Sequence, residues 1–353
     1  MSALKSLILR QIAATGPMSI ADFMSLCLLH PQHGYYTTRD PLGAGGDFTT
    51  APEISQMFGE MLGLWLAQVW HDQGAPAPVT LAELGPGRGT LMADILRATR
   101  AVPGFHAALS LHLVEASPVL RAAQAAKLAA FAPVFHDRSD SLPDAPLLLV
   151  ANEFFDALPI RQFQRKGSAW AERMVAAQGD ALTFGLAQPA PFEALSDRLE
   201  DTQDDQIVET CAPACAVLDP IAARIHSHGG AALIIDYGDW NSRGDTLQAL
   251  RDHAYDDPLA HPGDADLTAH VDFRALAKAA APLQAHALTP QGIFLERLGI
   301  TQRARTLAQG LTGAALETHI AAHRRLTHPQ EMGQLFKVLA LTHPNAPPVP
   351  GIL

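Results

Sequence analysis

A carboxylate followed by three closely spaced glycines is the most chemically distinctive feature of the chain. Residues 79–90 read Val-Thr-Leu-Ala-Glu-Leu-Gly-Pro-Gly-Arg-Gly-Thr. The apolar run up to Leu84 predicts a buried strand, and residues 91–97 continue at helical spacing. Glycines let the backbone turn sharply and approach a ligand without a Cβ in the way. This order of strand, glycine turn and helix predicts a nucleotide site at the carboxyl end of a strand in a doubly wound sheet.

The positions of the glycines indicate which nucleotide is bound. The dinucleotide fingerprint has glycine at its sixth position, where this chain has Thr90, and the phosphate loop with Lys and Ser/Thr is absent. The pattern Glu-x-Gly-x-Gly-x-Gly is instead typical of sites for S-adenosylmethionine. That ligand carries an ammonium and a sulfonium, which a carboxylate attracts, whereas a carboxylate repels phosphate. The predicted cofactor-binding residues of this motif are Glu83, Gly85, Pro86, Gly87 and Gly89.

A second apolar run also ends in an acid. Residues 110–115 read Ser-Leu-His-Leu-Val-Glu, and Ser117 with Pro118 has the pattern of a helix start. A carboxylate at the end of the second strand can accept hydrogen bonds from both hydroxyls of a ribose. Taken alone, Glu115 is as readily a solvated residue at a strand end. Its position after the glycine turn favours a role in cofactor binding.

A polar, acidic and aromatic run, Asn-Glu-Phe-Phe-Asp-Ala-Leu-Pro at 152–159, follows the predicted fourth strand. Two carboxylates there, Glu153 and Asp156, can hold a guanidinium through bidentate hydrogen bonds. We expect Glu153 first, and Asp156 second, to accept a proton during reaction. Asn152 is expected to line both the cofactor and the catalytic site, and Asp236 to complete the latter. The alternative interpretation is a helix start that Asn152 or Asp156 simply caps.

The segment before the glycine motif adds further candidates. Residues 46–60 read Gly-Asp-Phe-Thr-Thr-Ala-Pro-Glu-Ile-Ser-Gln-Met-Phe-Gly-Glu. Thr50 and Glu53 have the spacing of a capping box, which predicts one helix with a broad apolar face that continues to Gly74. Capping does not account for the three residues before it. We therefore expect these to contribute to the cofactor site: Asp47, Phe48 and Thr49.

The remaining histidines and cysteines do not predict a metal site. His319 and His323 are one helical turn apart, but no acid completes a set of ligands. Cys211 and Cys215 lack a second pair. His270 and Asp272 are expected to be structural, Asp272 as a helix cap.

Seven apolar runs predict the strands that position these residues. They lie at 79–84, 110–115, 134–137, 145–153, 231–238, 284–289 and 335–341. Their alternation with helical segments indicates an α/β fold with a parallel sheet covered on both faces.

Two segments interrupt this alternation. Residues 160 to about 190 have the turn signals of a small antiparallel meander, and residues 293–330 of a helical insertion. Insertions of this kind commonly build substrate sites. We expect an N-terminal helical segment, residues 1–75, that contributes to the active site, and a catalytic domain at 76–353.

The composition limits the classes of partner. The chain has 353 residues and a net charge of −11 without a basic cluster, which argues against nucleic-acid binding. No apolar run is long enough to span a membrane. Neither a signal peptide nor an Arg- and Ser-rich targeting extension is recognised, which favours a bacterial cytoplasmic protein over a mitochondrial one. The proline-rich tail at 344–350 is expected to be loose.

These motifs, together with Asp-Tyr-Gly at 236–238 and Asp-Leu-Thr-Ala-His-Val-Asp-Phe at 266–273, resemble the MidA-type methyltransferases. That family includes the mitochondrial assembly factor for respiratory complex I. The resemblance implies a class I, Rossmann-like methyltransferase with a seven-stranded, mostly parallel sheet whose last strand is reversed. It implies S-adenosylmethionine as cofactor and arginine of a protein as acceptor. In mitochondria it implies symmetric dimethylation of a complex I core subunit.

Two rival interpretations stay open. One is a non-catalytic assembly chaperone that keeps the cofactor fold as a binding surface. The other is a methyltransferase of small molecules, since fold analogy does not determine the substrate. The insertions favour a macromolecular substrate. A methyl mass shift on an arginine of a partner would exclude the chaperone.

Overall fold

The computed structural model describes residues 2–38 and 50–352. They form two compact units. The first comprises residues 2–38, 156–214 and 239–272, and the second residues 50–155, 215–238 and 273–352. The predicted cofactor residues Asp47, Phe48 and Thr49 lie outside the described residues.

The helices are, in chain order, α1 (Ala3–Thr15), α2 (Ile20–Leu29), α3 (Tyr35–Thr38), α4 (Ala51–Ile54), α5 (Gln56–Asp72), α6 (Thr90–Ala98), α7 (Phe105–Ala108), α8 (Pro118–Lys127), α9 (Ala212–His228), α10 (Phe273–Ala279), α11 (Gln291–Arg297), α12 (Ile300–Ala308), α13 (Gly313–Thr327) and α14 (Met332–Leu335). Short 3-10 turns lie at Thr99–Ala101, Ala129–Phe131, Ser139–Ser141 and Glu193–Leu199.

The strands are, in chain order, β1 (Met18–Ser19), β2 (Val79–Leu84), β3 (Leu109–Val114), β4 (Val134–His136), β5 (Leu147–Asn152), β6 (Arg161–Lys166), β7 (Ala169–Gln178), β8 (Ala181–Leu186), β9 (Ile207–Thr210), β10 (Gly230–Asp239), β11 (Gln248–Arg251), β12 (Ala254–Asp256), β13 (Asp266–Thr268), β14 (Val271–Asp272), β15 (Gln284–Ala285), β16 (Thr289–Pro290) and β17 (Phe336–Thr342).

The second unit is built on a sheet with strands in the order β15-β17-β10-β5-β2-β3-β4. The pairs from β10 to β4 are parallel, and β17 runs antiparallel to β10. Helices join the parallel strands, so the α/β class predicted from the sequence is confirmed. In the register, Glu83 lies opposite Leu113 and Val150, and Asn152 opposite Ile235. The carboxyl ends of β2, β3, β5 and β10 therefore meet at one edge.

The predicted strands lie close to where the sequence indicated them, with one exception. The run at 284–289 was expected to form a single strand but forms β15 and β16, of two residues each. Both pair with β17. Pro290, at the end of β16, has no N–H to donate to a ladder, which limits pairing there.

The expected single helix from Thr50 to Gly74 is wrong, because the helix is interrupted at Ser55, which separates α4 from α5. Ser55 is extended, with φ −161° and ψ 138°, and its Oγ accepts a hydrogen bond from Met57 N at 3.2 Å. A new helix therefore starts there. The apolar face of α5 is buried as predicted, and includes Phe58, Trp65 and Trp70.

The end of the proline-rich tail is packed, which corrects the expectation of a loose tail for its last two residues, whereas most of residues 344–348 are exposed. Val349 is buried, and the Pro350 carbonyl accepts a hydrogen bond from Trp65 Nε1 at 3.0 Å. A buried indole N–H needs an acceptor, and the tail supplies it.

The first unit has its own core. Leu4, Ile8 and Ile12 of α1 are buried with Phe23 and Tyr35. The meander predicted after β5 is confirmed: β6, β7 and β8 pair antiparallel in sequence, and β9 returns beside β6. A separate small sheet, β12-β11-β13, was not anticipated. None of the helices in the described part of the chain is long and apolar enough to cross a membrane.

Candidate functional site

The turn after β2 needs its glycines. Gly85, Gly87 and Gly89 have φ values of 59°, 54° and 73°, a region that residues with a Cβ rarely adopt. Gly85 N donates to Val114 O of β3 at 3.0 Å. A Cβ on Gly85 would lie 2.9 Å from Cδ2 of Phe154. The turn is thus held against the neighbouring strand end, and a side chain at Gly85 would collide with the ring of Phe154.

Glu83 is a buried carboxylate at the end of β2, only 3% exposed. No described residue donates a hydrogen bond to its Oε2. Burial, and then the nearby charge of Glu115, raises the pKa of Glu83 to about 8. A positively charged ligand would stabilise the ionised form of this buried carboxylate, which fits the predicted ammonium-bearing cofactor.

Glu115 follows β3 and is also buried. Its Oε1 accepts a hydrogen bond from Ser117 N at 2.8 Å, and its Oε2 one from Gln124 Nε2 at 3.1 Å. Burial raises the pKa of Glu115, and these hydrogen bonds oppose the shift. Ser117 caps α8 as predicted, with Oγ 3.4 Å from Leu120 N. Gln124 was missed, because a polar helix residue gives no sequence signal of being buried.

Asn152 and Glu153 lie at the end of β5. Asn152 is buried, and its Nδ2 donates to Glu153 Oε1 at 3.0 Å. No described residue donates to Asn152 Oδ1. Glu153 Oε1 also accepts from Ala51 N, the first residue of α4, at 3.0 Å. The backbone of Glu153 has φ 51°, strain of a kind that clusters at functional sites.

Asp236 lies at the same edge, fully buried on β10. Its Oδ2 accepts hydrogen bonds from the backbone N–H groups of Phe154 and Phe155 at 3.2 and 3.0 Å. Its Oδ1 accepts one from Tyr237 N at 3.0 Å. The carboxylate therefore fixes the chain immediately after Glu153.

Asp156 belongs to the first unit, where it is buried near Tyr36 and Asp266. The Asp156 carbonyl accepts a hydrogen bond from Ala269 N at 2.9 Å. Tyr36 Oη donates to Asp266 Oδ1 at 2.8 Å. Burial, then the charges of Asp266 and Asp156, raise the pKa of Tyr36 well above its usual value. Tyr36 was not singled out from the sequence.

The predicted capping box at Thr50 and Glu53 does not form. Within the described chain the Thr50 side chain makes no capping hydrogen bond. The Glu53 carboxylate instead accepts from Thr90 Oγ1 at 2.6 Å, and Lys127 Nζ donates to the same hydroxyl at 2.7 Å. Thr90, where a dinucleotide fingerprint would have glycine, thus links α4 to the start of α6.

The other candidates have structural contacts. Arg198 Nη1 lies 3.4 Å from Asp272 Oδ2, and His270 N donates to Thr246 Oγ1 at 2.8 Å. His319 contacts Ala304 O, and His323 contacts Thr301 Oγ1. Among residues 2–38 and 50–352, no group of three or more His, Cys, Asp or Glu side chains is arranged to hold a metal ion.

Comparison with known proteins supports the cofactor that the glycine turn and its acids predict. Residues 61–291 match the family described as "Putative S-adenosyl-L-methionine-dependent methyltransferase". The chain belongs to this family. It is therefore an S-adenosylmethionine-dependent methyltransferase, and S-adenosylmethionine is its cofactor, as the sequence predicted.

Relatives of the chain cover most of its length. The mitochondrial protein arginine methyltransferase NDUFAF7 of Danio rerio is 38% identical over 94% of this chain and 85% of its own. The Homo sapiens protein of the same name is 37% identical over 94% and 81%. A Burkholderia thailandensis protein solved with bound S-adenosyl-homocysteine is 29% identical, with a TM-score of 0.83 over 99% of this chain and 94% of that one.

The predicted bacterial cytoplasmic location is wrong. The curated relatives from fish, fly and mammals carry mitochondrial names. The absence of a recognisable targeting pattern was the only sequence argument for the cytoplasm, and it is outweighed by these relatives.

Proposed function

We propose that the chain transfers a methyl group from S-adenosylmethionine to an arginine side chain of a protein. The observation that carries this proposal is the pair of buried acids, Glu83 and Glu115, at the two strand ends beside the glycine turn. The names of the relatives, protein arginine methyltransferases, support arginine as the acceptor. The family resemblance of the motifs implies that the protein acceptor is a respiratory complex I subunit or its bacterial counterpart.

The proposed cofactor site extends along the sheet edge. The chain residues proposed to bind the cofactor are Glu83, Gly85, Pro86, Gly87, Gly89, Glu115 and Asn152, with Asp47, Phe48 and Thr49 from the preceding segment. We assign the seven-stranded class I arrangement to the sheet path from β15 to β4. Residues 1–75 are proposed to contribute to the active site of the domain at 76–353.

In this proposal Glu83 faces the charged amino-acid end of the cofactor, and Glu115 accepts hydrogen bonds from the two ribose hydroxyls. The bound cofactor supplies a methyl group on a positively charged sulfur. Asn152 Oδ1 and Glu83 Oε2, buried acceptors to which no described residue donates, fit a ligand rich in donors.

The proposed chemistry of the chain is mainly alignment, because methyl transfer is an in-line displacement. Glu153 orients the acceptor guanidinium and takes the proton that the substituted nitrogen loses, with Asp156 as the second candidate. The hydrogen bond from Asn152 Nδ2 and the strained backbone of Glu153 itself hold the Glu153 carboxylate in place. Asp236 acts as a positioning residue, because its Oδ2 accepts hydrogen bonds from the backbone N–H groups of Phe154 and Phe155, which directly follow Glu153.

The proposal is tested by incubating the protein with purified complex I core subunits and S-adenosylmethionine bearing a deuterated methyl group. Mass spectrometry should detect deuterated methyl units on arginine. The Glu153→Gln variant keeps an oxygen for Ala51 N, so it should bind cofactor normally and lose turnover by a factor of about 10²–10⁴. Unlabelled subunits together with assembly activity would favour the chaperone, and retained turnover would remove Glu153 from the mechanism.

A further inference from the structure

A buried amide on α8 joins the two segments proposed to bind the cofactor. Gln124 is fully buried. Its Nε2 donates to the Gly87 carbonyl of the glycine turn at 2.7 Å and to Glu115 Oε2 at 3.1 Å. Both N–H groups of one amide are therefore used, one on each segment.

The orientation of this amide is determined by its neighbours. Exchanging oxygen and nitrogen would direct Gln124 Oε1 at a carbonyl and a carboxylate, both of which are acceptors. As oriented, Gln124 Oε1 is buried without a donor from any described residue. An unsatisfied buried acceptor costs stability.

The side chain is also held by packing. A Cβ on Gly89 would lie 3.6 Å from Gln124 Cγ and 3.4 Å from Leu128 Cδ1. α8 thus lies directly against the glycine turn, and the Gln124 amide has little freedom to move away from it.

We propose, on the basis of the cofactor site proposed above, that Gln124 is a positioning residue that orients the Glu115 carboxylate toward the ribose hydroxyls of S-adenosylmethionine. An ionised carboxylate has about four acceptor positions, and here Ser117 N and Gln124 occupy one on each oxygen. The carboxylate also receives a backbone hydrogen bond from Ala116, and its remaining acceptor capacity is available to the ribose hydroxyls. The same amide fixes the distance between Glu115 and Gly87.

If Gln124 positions Glu115, replacing Gln124 should change how cofactor binding depends on pH. Burial raises the pKa of Glu115, while the hydrogen bonds from Ser117, Gln124 and Ala116 and the charge of Arg121 oppose that rise. Glu83, whose pKa the Glu115 charge raises, is the other acid nearby. Removing the Gln124 donor raises the pKa of Glu115, so its ionised form is lost at a higher pH than in the wild type.

The test is calorimetric titration with S-adenosylhomocysteine over a series of pH values. Gln124→Leu removes the donors, and Gln124→Glu keeps the shape but places a third acid beside Glu115. Gln291→Leu is the matched control: Gln291 is also fully buried, donates through Nε2 to Leu326 O at 2.9 Å, and has an Oε1 to which no described residue donates. Melting temperatures without ligand verify that each variant is folded.

We expect both Gln124 variants to bind S-adenosylhomocysteine at least about tenfold more weakly, the loss that one hydrogen bond to a charged group produces. In Gln124→Leu, which has no donor at any pH, the loss should grow as pH falls, and Gln291→Leu should bind like the wild type. Unchanged affinity, a loss independent of pH, or an equal loss in Gln291→Leu would overturn the inference. If Gln124→Leu does not fold, Gln124→Glu decides. Failure of the wild type to bind would refute the proposed cofactor site instead.

Discussion

Buried carboxylates at one sheet edge differ according to the donors that surround them. Asp236 accepts three backbone N–H groups, whereas no described residue donates to Glu83 Oε2. The first arrangement satisfies a buried charge, and the second leaves it to be satisfied by a ligand. Changing Asp236 should therefore lower stability, whereas changing Glu83 should alter the pH dependence of stability and of cofactor binding.

Glu83 should make cofactor binding depend on pH. Its pKa of about 8 in the folded protein exceeds the unfolded value of 4.5, so the folded state holds the extra proton between these values. Stability without ligand should accordingly fall as pH rises through this window. Affinity for S-adenosylmethionine should rise over the same window, because the ionised carboxylate attracts the cation.

Comparison with Glu83→Gln measures this effect. As pH rises from 4.5 to about 8, the melting temperature of the wild type should fall relative to that of the variant. The pH dependence of the cofactor Kd should be flatter in the variant. Parallel pH profiles for the two proteins would show that Glu83 does not titrate in this range.

Asp236→Ala should destabilise the protein by about 3 kcal/mol, because three amides lose their acceptor. Urea unfolding measures the change, and Asp180→Ala, at an exposed turn position, should alter stability by less than about 0.5 kcal/mol. Normal stability with complete loss of turnover would instead indicate that Asp236 contacts the reacting groups.

At the scale of elements, an ion-pair network links α5, α6 and α12. Glu60 of α5, 4% exposed as a side chain, accepts from Arg97 at 2.8 Å and from Arg303 at 2.7 and 2.9 Å. Burial alone would raise the pKa of Glu60, but the hydrogen bonds from Arg303 and Arg97 outweigh it and lower the pKa. The helical insertion is thus attached to the helix that follows the glycine turn.

Glu60→Gln should reduce stability by about 2 kcal/mol, since a charge that bonds two guanidiniums is replaced by a neutral group. Thermal unfolding measures the loss, and Glu317→Gln at an exposed position of α13 is the control. Equal melting temperatures for the two variants would show that the arginines gain as much from solvent as from Glu60.

The sequence predicts helices and strands well where burial produces a recognisable pattern of apolar residues. The runs at β2, β3, β5 and β10 are apolar because both faces of a parallel strand are covered, and each was located within two residues. The break at Ser55 was missed, because the Glu53 side chain bonds Thr90 across the fold rather than its own helix start. Gln124 was missed for the same reason: its partners are remote in sequence.

At the scale of the whole molecule, the chain combines a methyltransferase sheet with a second compact unit. The order of the strands in the sheet was not predicted, whereas the alternation of strands with helices followed from the sequence. The partition into units did not, since the first unit is assembled from three separate segments of chain. No local pattern carries that information, because it depends on contacts between distant residues.

The central claim is that the turn after β2 holds S-adenosylmethionine. It is tested most directly by calorimetric titration of wild type, Gly87→Val and Gly179→Val with S-adenosylmethionine and with NADH. Both glycines have positive φ, 54° and 59°, so the two variants carry similar backbone strain, but Gly179 lies in the β7–β8 turn with open space around it. We predict binding of S-adenosylmethionine to wild type and Gly179→Val, at least about tenfold weaker binding to Gly87→Val, and no heat from NADH. Tight NADH binding with none for S-adenosylmethionine would contradict the account.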